Sequence, residues 1–107
     1  MKPKKASSMS LIFANFIHAI GRFRSGALVA GSNGIVSVAD PGTGIYTITL
    51  SDPIADNDCI VIPTVAGATS AFAAYNWAST TTITLLLRDA AGAGTTGQWD
   101  ITVLRLK

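Results

Sequence analysis

The chain has no glutamate, one histidine and one cysteine among its 107 residues. Each scarcity removes a class of function. Acid–base and nucleophilic catalysis need paired groups of matched acidity. His18 is the lone imidazole, and no G-x-S-x-G segment or comparable nucleophile motif accompanies it. Cys59, the lone thiol, makes neither an intrachain disulfide nor a cysteine-based zinc site; it reads as a small buried hydrophobe in a strand. No catalytic residue and no cofactor is expected, and the chain reads as a non-enzymatic module.

Every acid is an aspartate. Asp52, Asp56 and Asp58, with Asn57, lie close enough in sequence to offer oxygen ligands to calcium, but the EF-hand spacing is missing, with neither a turn glycine nor a bidentate glutamate. Asp and Asn are ordinary turn residues, so this loop reads as a turn and no metal site is expected. Gly42-Thr43-Gly44 and Gly92-Ala93-Gly94 lack the Lys-Ser/Thr and the following helix of a phosphate loop, which leaves turn and hinge roles. No basic-aromatic motif in the body supports specific nucleic-acid recognition.

Long apolar runs are also absent. A membrane helix needs roughly 20 apolar residues, and the longest run, residues 11–20, is interrupted by Asn15 and His18. Lys2, Lys4 and Lys5 precede it as they would in a secretion signal, yet no small-x-small site closes it and Arg22 and Arg24 follow. No membrane partner is expected.

Charged residues make up 13% of the chain, against roughly 25% in an average soluble domain, while 49% of residues are hydrophobic. A domain this small has a modest core. Surplus apolar surface therefore points to a second burial event, in an oligomer or at a docking surface. The charge is uneven: residues 1–24 carry +5 and residues 25–107 carry −3. A basic arm on a mildly acidic body suits an acidic partner surface, although a basic tail also serves as a solvated leader. Candidate docking residues are Lys2, Lys4, Lys5, Phe13, Phe16, Ile17, Arg22 and Arg24.

What is present is a β pattern. Residues 11–20 fit a short helix capped by Ser10, with Phe13, Phe16, Ile17 and Ile20 as its stripe, or an extended segment. From Gly21 onward, runs of Val, Ile, Thr, Tyr, Phe and Trp alternate with Gly, Pro, Asn and Asp. Asn33-Gly34 predicts a tight turn before residues 35–39, and Asp40-Pro41-Gly42-Thr43-Gly44 predicts another. In residues 45–50, Tyr46, Ile48 and Leu50 face one way and Thr47 and Thr49 the other, so this strand should pair antiparallel with residues 35–39. Residues 59–65 are apolar on both faces, and Pro63 restricts them to an edge or a bulge. Residues 72–77 place Tyr75 and Trp77 on one face. Ile83, Leu85 and Leu87 share a face, a flexible loop covers residues 90–97, and residues 99–106 form the last strand.

About seven short strands at this spacing predict an all-β chain folded as a small antiparallel β-sandwich, residues 19–107, behind a basic, partly apolar arm, residues 1–18. Strands apolar on both faces exceed what one sandwich shields, so the second face of residues 59–65 or 83–87 should meet another copy. Tyr75, Trp77 and Trp99 are candidates for surface contact with a glycan or protein, against the alternative of core or oligomer interface.

Three stretches carry a family likeness: Ala19-Ile20-Gly21-Arg22-Phe23, then Gly31-Ser32-Asn33-Gly34-Ile35-Val36-Ser37-Val38, then Gly42-Thr43-Gly44-Ile45-Tyr46-Thr47-Ile48-Thr49-Leu50. With the Ser51-Asp52-Pro53-Ile54 loop, residues 59–64 and the final Asp100-Ile101-Thr102-Val103-Leu104, the chain resembles a small β-domain of bacteriophage virion proteins, found in tail fibres, head fibres and related appendages. The likeness spans residues 19–107 through turn and strand signatures, with no catalytic residue among them. It implies a β-sandwich that assembles as a homotrimer in the virion. A short basic arm rather than a shaft fits a capsid-surface decoration (cement) protein or short head fibre, docked on the major capsid or tail protein of the same particle. The alternative is a tail-fibre tip that binds a host surface glycan or receptor.

Overall fold

The computed structural model describes residues 16–67 and 70–106. Eight strands form two four-stranded antiparallel sheets: β1 (Ile17–Arg24), β2 (Ala27–Leu28), β3 (Ile35–Gly42), β4 (Ile45–Leu50), β5 (Cys59–Ala66), β6 (Phe72–Ser79), β7 (Thr82–Arg88) and β8 (Gln98–Arg105). One sheet has the order β2-β1-β8-β5 and the other β3-β4-β7-β6. The all-β sandwich expected from the strand spacing is the fold observed; the eighth strand is the two-residue β2.

Period-two alternation builds the core. Tyr46, Ile48 and Leu50 of β4, Ile83, Leu85 and Leu87 of β7, and Trp99, Ile101 and Val103 of β8 are all buried. These are the inner strands of their sheets. Each such side chain contributes about 1.5–3 kcal/mol by leaving water. The two sheets meet at an aromatic cluster. Phe23 of β1 stacks on Trp99 of β8 with centroids 4.9 Å apart and planes 7° from parallel. Tyr46 of the facing sheet meets both rings, at 5.1 Å from Phe23 and 5.4 Å from Trp99. The Tyr46 hydroxyl is held by Gly97, accepting from its N–H at 3.2 Å.

The hairpin of β3 and β4 pairs as expected, with Val38 opposite Ile48 and Ala39 opposite Thr47. Its turn is shorter than the sequence predicts. Asp40, Pro41 and Gly42 continue β3, and the chain reverses at Thr43-Gly44. Pro41 is tolerated because β3 is an edge strand with a register shift between Ala39 and Gly42. Gly44 has φ +74°, and a Cβ there would meet the Leu87 carbonyl oxygen at 2.5 Å.

Asn33-Gly34 is not a hairpin turn; it carries the chain from one sheet to the other. Asn33 exchanges two backbone hydrogen bonds with Ile20, at 2.7 and 2.8 Å. Gly34, at φ +79°, passes so close to β1 that a Cβ would lie 2.7 Å from the His18 carbonyl oxygen. The loop read as flexible, residues 90–97, is pinned: Asp89 Oδ1 accepts from the N–H groups of Ala91 and Ala93 at 2.9 and 3.0 Å, and Thr95 N–H donates to the Leu87 carbonyl at 3.1 Å. Residues 17–20, part of the helix-or-strand segment, are strand; residues 11–15 lie outside the described residues.

Candidate functional site

Cross-strand pairing fixes which side chains share the outer face of the β1/β8/β5 sheet. Leu104 lies opposite Ile60 on one side and Ile17 on the other. Thr102 lies opposite Ile62 and Ile20, and Asp100 opposite Thr64 and Arg22. Paired residues point to one face, so this face has an apolar half built from Ile17, Ile20, Ile60, Ile62 and Leu104. Ile60 and Ile62 are exposed, at 47% and 43%. The other half is polar. Arg24 grips Asp100 through a fork, Nη1 to Oδ1 at 2.8 Å and Nη2 to Oδ2 at 3.3 Å, and Nη1 also donates to the Trp99 carbonyl at 3.1 Å.

The free edge of this sheet is β5, and Pro63 lies in it. Leu106 N–H donates to the Asp58 carbonyl at 2.9 Å. From that bond and the register, positions 60, 62 and 64 are the hydrogen-bonded pairs with β8, and 59, 61, 63 and 65 are the non-hydrogen-bonded ones. The donor that proline lacks is therefore one that would point out from the open edge. Pro63 takes no bond from the sheet and leaves a gap in the row that another strand would need.

The expected docking residues separate. Ile17, Arg22 and Arg24 belong to β1, inside the sandwich rather than in an arm, because the strand begins at Ile17 and pairs along β8. Phe16 is exposed at 56% where the chain enters β1. Lys2, Lys4, Lys5 and Phe13 lie outside the described residues. Of the aromatic candidates, Trp99 is corrected to core: it is 0% exposed, on the inward row of β8. Tyr75 and Trp77 share a face, and that face packs inward against the core from β6. They are half-buried and offer no aromatic platform on the outside. The sequence could foresee that they share a face, but not that this face points inward.

A second feature was not foreseen. At the end of the sandwich His18, Pro53, Ile54, Ala55, Asp58, Thr80 and Arg105 line an open cleft of about 460 Å³. β1 shifts register between Ile17 and Ala19, and His18 is the extra residue. Its Nε2 lies 2.8 Å from the Asp52 carbonyl oxygen and its Nδ1 lies 2.9 Å from the Arg105 guanidinium. A carbonyl only accepts and a guanidinium only donates. Nε2 therefore carries the hydrogen and Nδ1 accepts, in a neutral ring. Ile54 N–H donates to the Thr80 carbonyl at 2.9 Å and ties the cleft floor to the β6–β7 turn. No short-range sequence signal marks this contact, since His18 and Arg105 are 87 residues apart.

Beside the cleft, burial and then the carboxylates of Asp56 and Asp58 push the Cys59 thiol above its ordinary range. A thiol kept protonated is a poor nucleophile. Among the described residues no three of His, Cys, Asp and Glu come together in a way that would hold a metal ion, and no helix is long and apolar enough to cross a membrane. No protein-family model, no curated protein and no solved structure matches the chain.

Proposed function

We propose that this chain is a non-enzymatic structural module of a bacteriophage particle, a homotrimeric capsid-surface decoration protein or short head fibre that docks through its basic N-terminal segment. The observation that carries the reading is the apolar half-face of Ile17, Ile20, Ile60, Ile62 and Leu104 on the outside of a sandwich whose core is already complete. Apolar residues clustered on one face point to burial against a partner. The partner is a second copy of the chain, in keeping with the trimeric virion domains that its turn and strand signatures resemble.

Pro63 favours packing through the face over pairing through the edge. Copies that meet through this face keep their sheets separate, whereas copies that pair by the open β5 edge would join their sheets into one. The Lys-rich segment, residues 1–10, precedes β1 in the sequence, and its positive charge suits docking on an acidic shell surface. The receptor- or glycan-binding reading has less support, because Tyr75 and Trp77 face inward and Trp99 is buried.

The test is a double substitution, Ile60→Thr with Ile62→Thr, followed by light scattering on a sizing column. Threonine keeps β propensity, so the sandwich should remain folded while the assembly dissociates to monomer. An unchanged assembly would remove this face from the account.

A further inference from the structure

We propose that Asn33-Gly34 is a covalent modification site: it converts spontaneously to aspartate and isoaspartate, the fold holds that reaction shut, and the isoaspartyl product cannot return to the fold. The pair stands where the chain crosses from one sheet to the other, between β2 and β3. Asparagine is chemically labile, and a following glycine, with no Cβ, leaves the next backbone nitrogen unshielded.

The reaction is an attack of the Gly34 backbone nitrogen on the Asn33 side-chain amide carbon. A C–N bond forms, the bond to the side-chain nitrogen breaks, and that nitrogen leaves as ammonia with the Gly34 proton. Water then opens the cyclic imide at either of its carbonyls. One opening gives aspartate. The other gives isoaspartate, whose main chain is longer by a carbon.

Both reacting groups are at hand. Asn33 is exposed, and among the described residues neither its side chain nor the Gly34 N–H has a hydrogen-bond partner. The approach is what the fold withholds. An antiparallel bridge to Ile20 holds Asn33 extended, with the Gly34 nitrogen turned away from the Asn33 side chain. Ring closure needs rotation about the Asn33 Cα–C bond, and that rotation carries the Asn33 carbonyl with it. The carbonyl accepts from Ile20 N–H at 2.8 Å, and Asn33 N–H donates to the Ile20 carbonyl at 2.7 Å. The Gly34 carbonyl is fixed in turn by Ser51 N–H at 2.9 Å. A Cβ on Gly34 would lie 2.7 Å from the His18 carbonyl oxygen and 3.1 Å from Ala19 Cβ, so the peptide has no room to turn against β1.

The same tightness separates the two products. Aspartate matches asparagine in size and its side chain stays in solvent, so the crossing accepts it. Isoaspartate inserts a carbon between two points that the Ile20 bridge and the Ser51 bond hold at fixed spacing. This chemistry needs no second copy of the chain, and its failure leaves the assembly proposal untouched.

The test incubates the full chain in mildly alkaline buffer, folded in one arm and unfolded by urea in the other, and follows position 33 by peptide mass mapping with isoaspartate detection. The unfolded chain should convert, and the folded chain should convert at least about tenfold more slowly, because reaction waits for the crossing to open. When urea is removed, the isoaspartyl chains should stay unfolded, while Asn33→Asp, which carries the other product, folds as the parent does. No conversion in the unfolded chain would overturn the site. Equal rates in the two arms would overturn the gate. Isoaspartyl chains that refold like the parent, or an Asn33→Asp protein that does not fold, would overturn the separation of products.

Discussion

Pro63 faces Ile101 across β5 and β8 at a pair that exchanges no hydrogen bonds. The proline thus costs the sheet nothing and blanks one donor on its open edge. Pro63→Val should leave the fold intact, restore that donor and make the protein associate edge to edge, visible as larger species in sedimentation velocity. A Pro63→Val protein that sediments as the parent does would mean that the edge is guarded by something else.

The aromatic cluster makes a graded prediction. Trp99 is fully buried, and its indole N–H has no hydrogen-bond partner among the described residues. Trp99→Phe keeps the stack on Phe23 and removes the orphaned donor, so part of its cavity cost is offset. Trp99→Ala should cost about 3–5 kcal/mol, and Trp99→Phe clearly less. Urea unfolding of the two variants measures the difference, and equal losses would contradict the packing described.

The raised Cys59 thiol predicts a pH dependence. The folded state holds this proton more tightly than the unfolded chain does. Its contribution is complete below the unfolded thiol's titration, about pH 8.5, and is lost as pH rises through the higher folded value. Stability should fall across that alkaline window, and Cys59→Ala should remove this part of the fall. Identical alkaline profiles for the two proteins in denaturant unfolding would show that Cys59 has no part in it.

The His18–Arg105 contact joins the start of β1 to the end of β8. His18→Phe fills the space yet removes both hydrogen bonds, which leaves the Asp52 carbonyl and the guanidinium to water. A loss of about 1–3 kcal/mol is expected from a partly buried pair, and His18→Gln should recover part of it. Thermal unfolding of both variants provides the check; no loss in either would mean that the bridge holds nothing in place.

Much of the fold was legible because period-two alternation is strong in the inner strands. Thr47 and Thr49 outward against Tyr46, Ile48 and Leu50 inward leave one reading, and Pro63 left an edge or a bulge, of which the edge is observed. Asn33-Gly34 misled because its glycine serves a crossing close to β1, a close approach that no local pattern reveals. Trp99 and Trp77 could be assigned to strands but not to sides, since both strands alternate and the inward side is decided by which sheet lies opposite. Arg24 read as part of a basic arm because its acid, Asp100, is 76 residues away. The cleft was invisible for the same reason: His18, the connection of residues 53–58, Thr80 and Arg105 are far apart in sequence and meet only in the folded sandwich.

We propose that the sandwich, its own core complete, assembles with further copies by burying the apolar half of the outer face of the β1/β8/β5 sheet. Sedimentation equilibrium of the full chain at several concentrations tests it most directly. The expected result is a trimer, three times the 11.1 kDa of one chain, stable on dilution. A clean monomer at every concentration would contradict it, and would leave Ile60 and Ile62 without the partner the account assigns to them.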